Sequence, residues 1–216
     1  MNFRAQRYSL VEALRRRGYI KTPEVEEAML SVPREHFMPS RYARYAYVDT
    51  PFEIGSGQTI SAPHMVAMMA ECLELSKGHR VFEVGTGSGY HAAVVAHIIG
   101  EKGRVYTMER IGSLAETARE NLRRAGYDAN VEVFVGDGSL GLPEHAPYHR
   151  ILVTCAAPEI PPPLVEQLAE GGIIVIPVGV SGYSDLTVGR KVDGRLQLRS
   201  EGGCAFVPLI GRYGHG

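Results

Sequence analysis

The stretch Arg80-Val-Phe-Glu-Val-Gly-Thr-Gly-Ser-Gly-Tyr-His91 decides the fold of this 216-residue chain. Its first half is a short apolar run that carries one acid, and such a run predicts a buried strand. The run ends in Gly-Thr-Gly-Ser-Gly at residues 85–89, and small and apolar side chains then recur at helical spacing. Glycine has no Cβ and tolerates positive φ, so a strand, a glycine turn and a helix together allow a ligand to approach the backbone.

The spacing of the glycines narrows the choice of ligand. A dinucleotide site prefers G-x-G-x-x-G/A, but here the third glycine comes one residue early and Tyr90 occupies the small position. The Gly-Lys-Ser/Thr ending of a P-loop is absent. Gly-x-Gly-x-Gly after a strand that carries Glu83 instead resembles the first motif of S-adenosylmethionine (AdoMet)-dependent methyltransferases. The alternative is a tight turn without a ligand, although three glycines cost more conformational entropy than such a turn requires.

The composition is that of an ordinary globular protein. Hydrophobic residues make up 44% of the chain, charged residues 22%, and the formal net charge is −1. This balance provides no global basic field for nucleic acid or for an anionic membrane. The three cysteines lack a C-x-x-C pair and lie in apolar contexts, so we expect buried free thiols. No apolar stretch reaches membrane-spanning length and no signal core is visible, so we expect a cytoplasmic protein.

The order of the predicted elements indicates one α/β domain over residues 1–216. Residues 1–50 are expected to form a helical and aromatic N-terminal cap, and residues 51–216 the AdoMet-binding core. Strand and helix patterns alternate after the glycine turn, which predicts a doubly wound, mostly parallel, Rossmann-like sheet. The last two strand patterns flank Asp193-Gly194 and predict an antiparallel β-hairpin at the end of the sheet. Such a hairpin is a known trait of the methyltransferase fold.

Residues 51–61, rich in glycine and hydroxyl groups, are interpreted as a loop. The segment 61–64, Ser-Ala-Pro-His, then opens a helix. Ser61 stands where an N-cap belongs, so the spacing alone leaves a capping role and a functional role open.

Acidic residues stand at the ends of consecutive predicted strands, where ligands of open α/β sheets bind. Glu109 follows the glycine turn by about 20 residues, where a carboxylate can accept hydrogen bonds from both ribose hydroxyls. Asp137 ends the next strand and is expected to accept from an adenine amino group. Each acid alone could be a surface charge, but with Glu83 they form a set beside one glycine turn, and this favours a binding site.

Other chemistries are disfavoured by the sequence. No G-x-S-x-G nucleophile elbow and no H-E-x-x-H zinc motif occurs. His145 and His149 are four residues apart, but Pro147 between them argues against a shared helix face and a zinc site. We therefore predict no metal.

Several motifs, taken in order, resemble the protein-L-isoaspartate (D-aspartate) O-methyltransferase family over nearly the whole chain. Beside the glycine turn they are Gly57-Gln-Thr-Ile-Ser-Ala-Pro-His-Met65, Tyr106-Thr-Met-Glu-Arg110, Gly136-Asp-Gly138 and Phe206-Val-Pro-Leu209. The Gln-Thr-Ile-Ser-Ala-Pro-His segment is specific to the family, whereas the glycine turn alone indicates only a methyltransferase.

Two departures from the family pattern are visible. His149 follows Tyr148 where an acid is expected, and Ile210 follows Val-Pro-Leu where some members carry a hydroxyl residue.

The resemblance implies that AdoMet donates a methyl group to the free α-carboxylate of L-isoaspartyl, and possibly D-aspartyl, residues in damaged proteins. The implied partners are isoaspartyl peptides and proteins, without nucleic acid, membrane or metal. Ser61 is then the catalytic residue, with Thr59, Ile60 and Val207 as substrate-binding residues. The implied cofactor-binding residues are His64, Glu83, Gly85, Thr86, Gly87, Ser88, Glu109, Asp137 and Gly138.

Three other functions stay open at this point. One is another AdoMet-dependent enzyme that methylates a small molecule or RNA, and a second is a non-catalytic module that binds AdoMet or damaged protein. The third is a nicotinamide oxidoreductase, which Tyr90 and the terminal hairpin disfavour.

Overall fold

A computed structural model describes residues 2–180 and 182–215 of the chain. The helices are α1 (Phe3–Arg16), α2 (Pro23–Ser31), α3 (Pro63–Cys72), α4 (Tyr90–Ile99), α5 (Gly112–Ala125) and α6 (Pro162–Gln167). The strands are β1 (Phe52–Gly55), β2 (Gln58–Ile60), β3 (Arg80–Val84), β4 (Arg104–Glu109), β5 (Val131–Val135), β6 (Tyr148–Val153), β7 (Leu168–Val180), β8 (Tyr183–Val192) and β9 (Arg195–Cys204). No helix of the described ranges combines the length and the apolar composition that a membrane crossing requires.

The main sheet has seven strands in the order β5-β4-β3-β6-β7-β8-β9. The pairs from β5 to β7 are parallel, and β8 and β9 add antiparallel to β7. The expected mostly parallel sheet with an antiparallel end is therefore confirmed. The chain runs outward from β3 to β5 and then returns to β6 on the other side of β3, so the strand order reverses there. Open α/β sheets bind ligands at such a reversal.

Burial explains why β3 and α4 form this central unit. Val81, Phe82 and Val84 are all buried, as expected for a strand covered on both faces by helices. The helix α4 that follows is rich in alanine and valine and is buried almost all round. A helix without a polar face belongs to the interior of a protein.

The N-terminal helices pack onto this unit. The Tyr90 ring at the start of α4 lies 5.6 Å from the Phe37 ring, edge to face. Leu14 of α1 and Val25 of α2 belong to the same buried cluster as Tyr90. The start of α4, and with it the glycine turn, is thus fixed by contacts from the N-terminal segment.

Two expectations for residues 51–64 are wrong. The segment is a β-hairpin of β1 and β2 rather than a loop, with a turn of Gly55, Ser56 and Gly57 that all have positive φ. The N-cap of α3 is Ala62 and not Ser61, because the Ala62 carbonyl accepts the first helical hydrogen bonds and no side chain caps the helix.

Candidate active site

The glycine turn requires glycine at each of its three positions. Gly85, Gly87 and Gly89 have φ values of +91°, +55° and +86°, which L side chains rarely adopt. A Cβ at Gly85 would also lie 2.5 Å from the Thr154 hydroxyl, which donates a hydrogen bond of 2.6 Å to the Gly85 carbonyl. No side chain of these glycines therefore covers the backbone of the turn where it lies next to the end of β6.

Three clefts lie at this end of the sheet, and the glycine turn lines two of them. The first cleft encloses about 530 Å³, open mouth included, and its walls include Gly85, Gly87, Glu109 and Gly138.

The second cleft is larger, about 1140 Å³, and lies between Ser61 and His64 on one side and Cys204 and Phe206 on the other. Its residue Cys204 is only half-buried, which corrects the expectation that all the cysteines are buried, although all are free thiols.

The third cleft is small, about 350 Å³, and runs from Ser61 past Thr86 and Ser88 to His91. Thr59 and Thr154 line all three clefts. A group held in one cleft can therefore meet a group held in another at these two residues.

Glu109 lies on the wall of the first cleft and is held by the backbone around it. Its Oε2 accepts a hydrogen bond of 2.9 Å from the Gly87 N–H, and its Oε1 accepts one of 3.0 Å from the Ile111 N–H. This carboxylate couples the end of β4 to the glycine turn and presents an acceptor to the cleft.

Asp137 lies beside the first cleft rather than on its wall, which its neighbours Gly136 and Gly138 form. Its carboxylate accepts hydrogen bonds from the Ser139 backbone and hydroxyl and from the Arg212 N–H. Partial burial acts to raise the pKa of Asp137, but these hydrogen bonds outweigh it and the pKa is lower than usual. The Asp137 carboxylate thus holds the C-terminal segment, and its expected contact with the adenine amino group stays a prediction.

Glu83 is buried inside β3, with 1% of its surface exposed, and does not reach the clefts. Burial raises the pKa of Glu83 to about 8, and this outweighs the hydrogen bond of 2.5 Å that its Oε2 accepts from the Thr107 hydroxyl. The Thr107 hydroxyl is in turn 2.7 Å from the Thr86 hydroxyl. Glu83 therefore supports the glycine turn from below through two hydroxyl groups.

His64 lies on the second cleft, and its expected role in cofactor binding stays a prediction. Its Nδ1 is 2.8 Å from Asp49 Oδ1, which also accepts from the His64 backbone N–H. Asp49 also forms an ion pair of 3.0 Å with Arg17. Burial acts to raise the pKa of Asp49, but the hydrogen bonds from His64 and Arg17 outweigh it and lower the pKa.

The remaining residues that the sequence predicted for the substrate each line one or two of the clefts. Ser61 lines the second and third clefts, Val207 the first and second, and Ile60 the third. The sequence analysis did not assign Thr154 a role in the site. Its position directly after β6, next to β3 at the strand reversal, could have indicated one, because open α/β sheets bind ligands there.

The two departures from the family pattern lie in different places. Ile210 lines the first cleft. His149 lies at the start of β6, at the opposite end of the strand from the clefts, where its Nδ1 accepts from the Arg80 N–H.

An AdoMet site needs a turn whose backbone a ligand can approach closely and a carboxylate at the end of the next strand. Gly85 provides the first and Glu109 the second, so the residues present fit AdoMet. In residues 2–180 and 182–215, no cluster of His, Cys, Asp and Glu side chains is arranged to hold a metal ion.

Solved structures share the whole architecture. The chain is similar to a putative protein-L-isoaspartate O-methyltransferase from Plasmodium falciparum in complex with S-adenosyl-L-homocysteine. The TM-score is 0.84 at 29% identity, over 97% of this chain and 99% of that one. Fold and site together place the protein in the class of AdoMet-dependent methyltransferases.

Sequence relatives narrow this class to one family. The chain is 56% identical to the protein-L-isoaspartate O-methyltransferase of Methanopyrus kandleri, over 98% of this chain and 94% of the relative. It is 55% identical to that of Hyperthermus butylicus, over 98% of this chain and 91% of the relative. Residues 5–214 match the family described as protein-L-isoaspartate(D-aspartate) O-methyltransferase, and the chain belongs to this family. The expected enzyme class and AdoMet cofactor are thereby confirmed.

Proposed function

We propose that the protein methylates the free α-carboxylate of L-isoaspartyl residues in damaged peptides, and that Ser61 orients this carboxylate. The observation that carries the proposal is the convergence of three clefts at Thr59 and Thr154, with Ser61 beside them. The Ser61 hydroxyl does not cap α3, and no other described residue occupies it with a hydrogen bond. It is therefore available to a substrate.

The chemistry requires positioning more than proton transfer. AdoMet, when bound, supplies a methyl group on a positively charged sulfur, which is a good leaving group. A carboxylate is already ionised at neutral pH, so the site needs no general base. Ser61 contributes a hydrogen bond to the charged oxygen, which is stronger than one between neutral groups. Alignment of two reacting groups is worth up to about 7–11 kcal/mol of the barrier.

We assign the first cleft to the nucleoside of AdoMet. Glu109 is placed to accept from ribose hydroxyls, and the bare backbone at Gly85 and Gly87 allows close approach. Gly138 has no room for a side chain, because a Cβ there would lie 2.5 Å from Val84 Cγ1. A larger residue at this position would push into the wall of the cleft.

We assign the second cleft to the peptide. Thr59 and Ser61 form one wall, and residues 206–208 form the opposite wall. The opposite wall is fixed to the sheet, since the Ala156 N–H donates to the Val207 carbonyl and the Leu209 N–H donates to the Ala156 carbonyl. A peptide held there would carry its carboxylate to Ser61. The same proposal includes isoaspartyl peptides and proteins as partners, activity on D-aspartyl residues and a cytoplasmic location.

A methyl-transfer assay with radiolabelled AdoMet tests this function. It measures the label transferred to each of four acceptors: an isoaspartyl peptide, its aspartyl counterpart, total RNA and small carboxylic acids. We expect label in the isoaspartyl peptide alone. Label in RNA or in a small acid instead would favour another methyltransferase function. Binding of AdoMet without label in any acceptor would favour a non-catalytic module.

A further inference from the structure

A fourth cleft lies between the N-terminal segment, α3 and β9, and the assignments above do not use it. It encloses about 730 Å³, open mouth included. Its walls include Tyr19 after α1, Met68 and Cys72 of α3, and Arg199 and Glu201 of β9. None of its wall residues belongs to the glycine turn, so this cleft is separate from the part of the site assigned to AdoMet.

The fourth cleft continues the second cleft along α3. Met65 lines the second cleft, and Met68, about one turn later on the same face of the helix, lines the fourth. The Tyr19 ring on the fourth cleft lies 5.2 Å from the His64 ring on the second. Residues of β9 border both clefts as well. The two clefts therefore form one groove along α3 and β9.

A peptide whose isoaspartyl residue occupies the second cleft can extend into the fourth. From Met65 to Cys72, α3 rises by about 10 Å, at about 1.5 Å per residue. An extended peptide covers this distance with about three residues. A side chain about three or four residues away from the isoaspartyl residue therefore reaches the fourth cleft.

The charges on the walls of the fourth cleft favour an acidic side chain. Three cations line it, Arg17, Lys21 and Arg199, and two carboxylates, Glu71 and Glu201. The Glu201 carboxylate is paired with Arg199 at 2.8 Å. The Glu71 carboxylate accepts a hydrogen bond of 2.8 Å from the backbone N–H of Lys21 and fixes the chain there. Both carboxylates are thus already engaged within the protein.

The Lys21 ammonium is the cation that is open to a ligand. Lys21 is exposed, and its side chain forms no ion pair within residues 2–180 and 182–215. Arg17, on the same cleft, is held by its ion pair of 3.0 Å with Asp49 and lies 4.8 Å from the centre of the Tyr19 ring. A carboxylate of the peptide would pair with Lys21 beside this second, fixed positive charge.

We infer that the fourth cleft is a subsite for the peptide, and that Lys21 selects substrates with an acidic side chain about three or four residues from the isoaspartyl residue. The inference rests on the proposed function, because it takes the isoaspartyl peptide as the occupant of the second cleft. Lys21 is then a specificity-determining residue remote from the reacting groups. Its ion pair forms equally in the ground state and in the transition state, so it lowers KM and leaves kcat unchanged.

The test compares the steady-state kinetics of isoaspartyl peptides that differ at one position. The parent peptide carries glutamine at all flanking positions, and the others carry one glutamate or one lysine at the third or fourth position on the amino or the carboxyl side. At low ionic strength, we expect the glutamate peptides of one side to exceed the parent in kcat/KM by about two- to fivefold, through a lower KM, as for an exposed ion pair. High salt should remove this gain.

Variants of Lys21 identify the residue responsible. Lys21→Met should remove the glutamate gain, and Lys21→Glu should transfer it to the lysine peptides of the same side. Both variants should act on the parent peptide as the wild type does, which shows that their fold and active site are intact. Lys102→Met, at an exposed lysine in the turn after α4, is the matched control and should keep the wild-type preference.

A glutamate gain that persists in Lys21→Met would overturn the inference. A wild-type preference for the lysine peptides would assign the subsite to Glu71 and Glu201 instead and would also overturn it. Methylation of the parent peptide without any charge preference would overturn the inference and leave the proposed function intact. A wild-type protein that methylates none of the isoaspartyl peptides would contradict the proposed function itself.

Discussion

At the scale of single residues, the Ser61 hydroxyl lies where the second and third clefts meet. We predict that Ser61→Ala lowers kcat/KM for an isoaspartyl peptide by roughly 10- to 100-fold, as expected for a lost charge-assisted hydrogen bond. AdoMet affinity and the free energy of unfolding should stay near wild type, because Ser61 does not cap α3. Steady-state kinetics, calorimetry and urea unfolding measure these three quantities.

The matched control for Ser61→Ala is Ser76→Ala, at an exposed serine in the turn after α3. It should leave all three quantities unchanged. Equal losses of turnover and AdoMet affinity in Ser61→Ala, or a loss of more than about 1 kcal/mol in stability, would indicate a structural role instead.

The buried carboxyl group of Glu83 leads to a prediction of how the free energy of unfolding depends on pH. The pKa of Glu83 is about 8 in the folded protein and near 4.5 in the unfolded chain, so the folded state binds the extra proton between these values. The contribution of Glu83 to stability is therefore complete below about pH 4.5 and is lost as the pH rises towards about 8. The slope of this loss is up to about 1.4 kcal/mol per pH unit. We predict that Glu83→Gln makes the unfolding free energy flatter over this interval.

Urea unfolding at a series of pH values measures this dependence. Glu116→Gln, at an exposed carboxyl on α5, is the control and should keep the wild-type slope. A Glu83→Gln protein with the wild-type slope would mean that Glu83 is already ionised in the fold.

At the scale of elements, β3, the glycine turn and α4 form the unit on which the site depends. We predict that Gly85→Ala abolishes measurable AdoMet binding and lowers Tm, because the alanine Cβ would lie 2.5 Å from the Thr154 hydroxyl at a φ of +91°. Adding Thr154→Ala removes the steric contact but not the strain of positive φ, so stability should recover only in part.

Gly112→Ala is the control for this variant, since it lies at the start of α5 with nothing near its Cβ position and no positive φ. It should keep AdoMet binding and leave Tm unchanged or slightly raised. Thermal unfolding and calorimetry measure both effects. A Gly85→Ala protein with wild-type AdoMet affinity would show that the cofactor does not approach this turn.

The sequence predicted those elements that carry clear local signals, and it did not predict those that lack them. The valine-rich run of residues 131–135 forms β5, and α5 ends at Ala125 because Gly126 takes the positive φ of a helix C-terminus. The terminal hairpin was predictable because Asp193-Gly194 forms its turn and both residues have positive φ. The β1–β2 hairpin was not, because strands of four and three residues are too short to show alternation.

At the scale of the whole molecule, the site depends on residues that are distant in the sequence. The third cleft joins Ile60 of the hairpin to His91 of α4, and the fourth joins Lys21 of the N-terminal segment to Arg199 of β9. The sequence identified the glycine turn and Glu109, because both lie at strand ends, and both line the first cleft. It did not reveal the fourth cleft, since only the packing of the N-terminal segment, α3 and β9 brings its charged residues together.

The most direct test of the account compares kcat/KM for two peptides that differ only in the linkage of one aspartyl residue, with AdoMet as donor. We predict methylation of the isoaspartyl peptide, a product that base hydrolyses as an ester, and no measurable transfer to the normal aspartyl peptide. Equal rates on both peptides, or a methylated product stable to base, would contradict the claim that the second cleft directs an isoaspartyl carboxylate to Ser61.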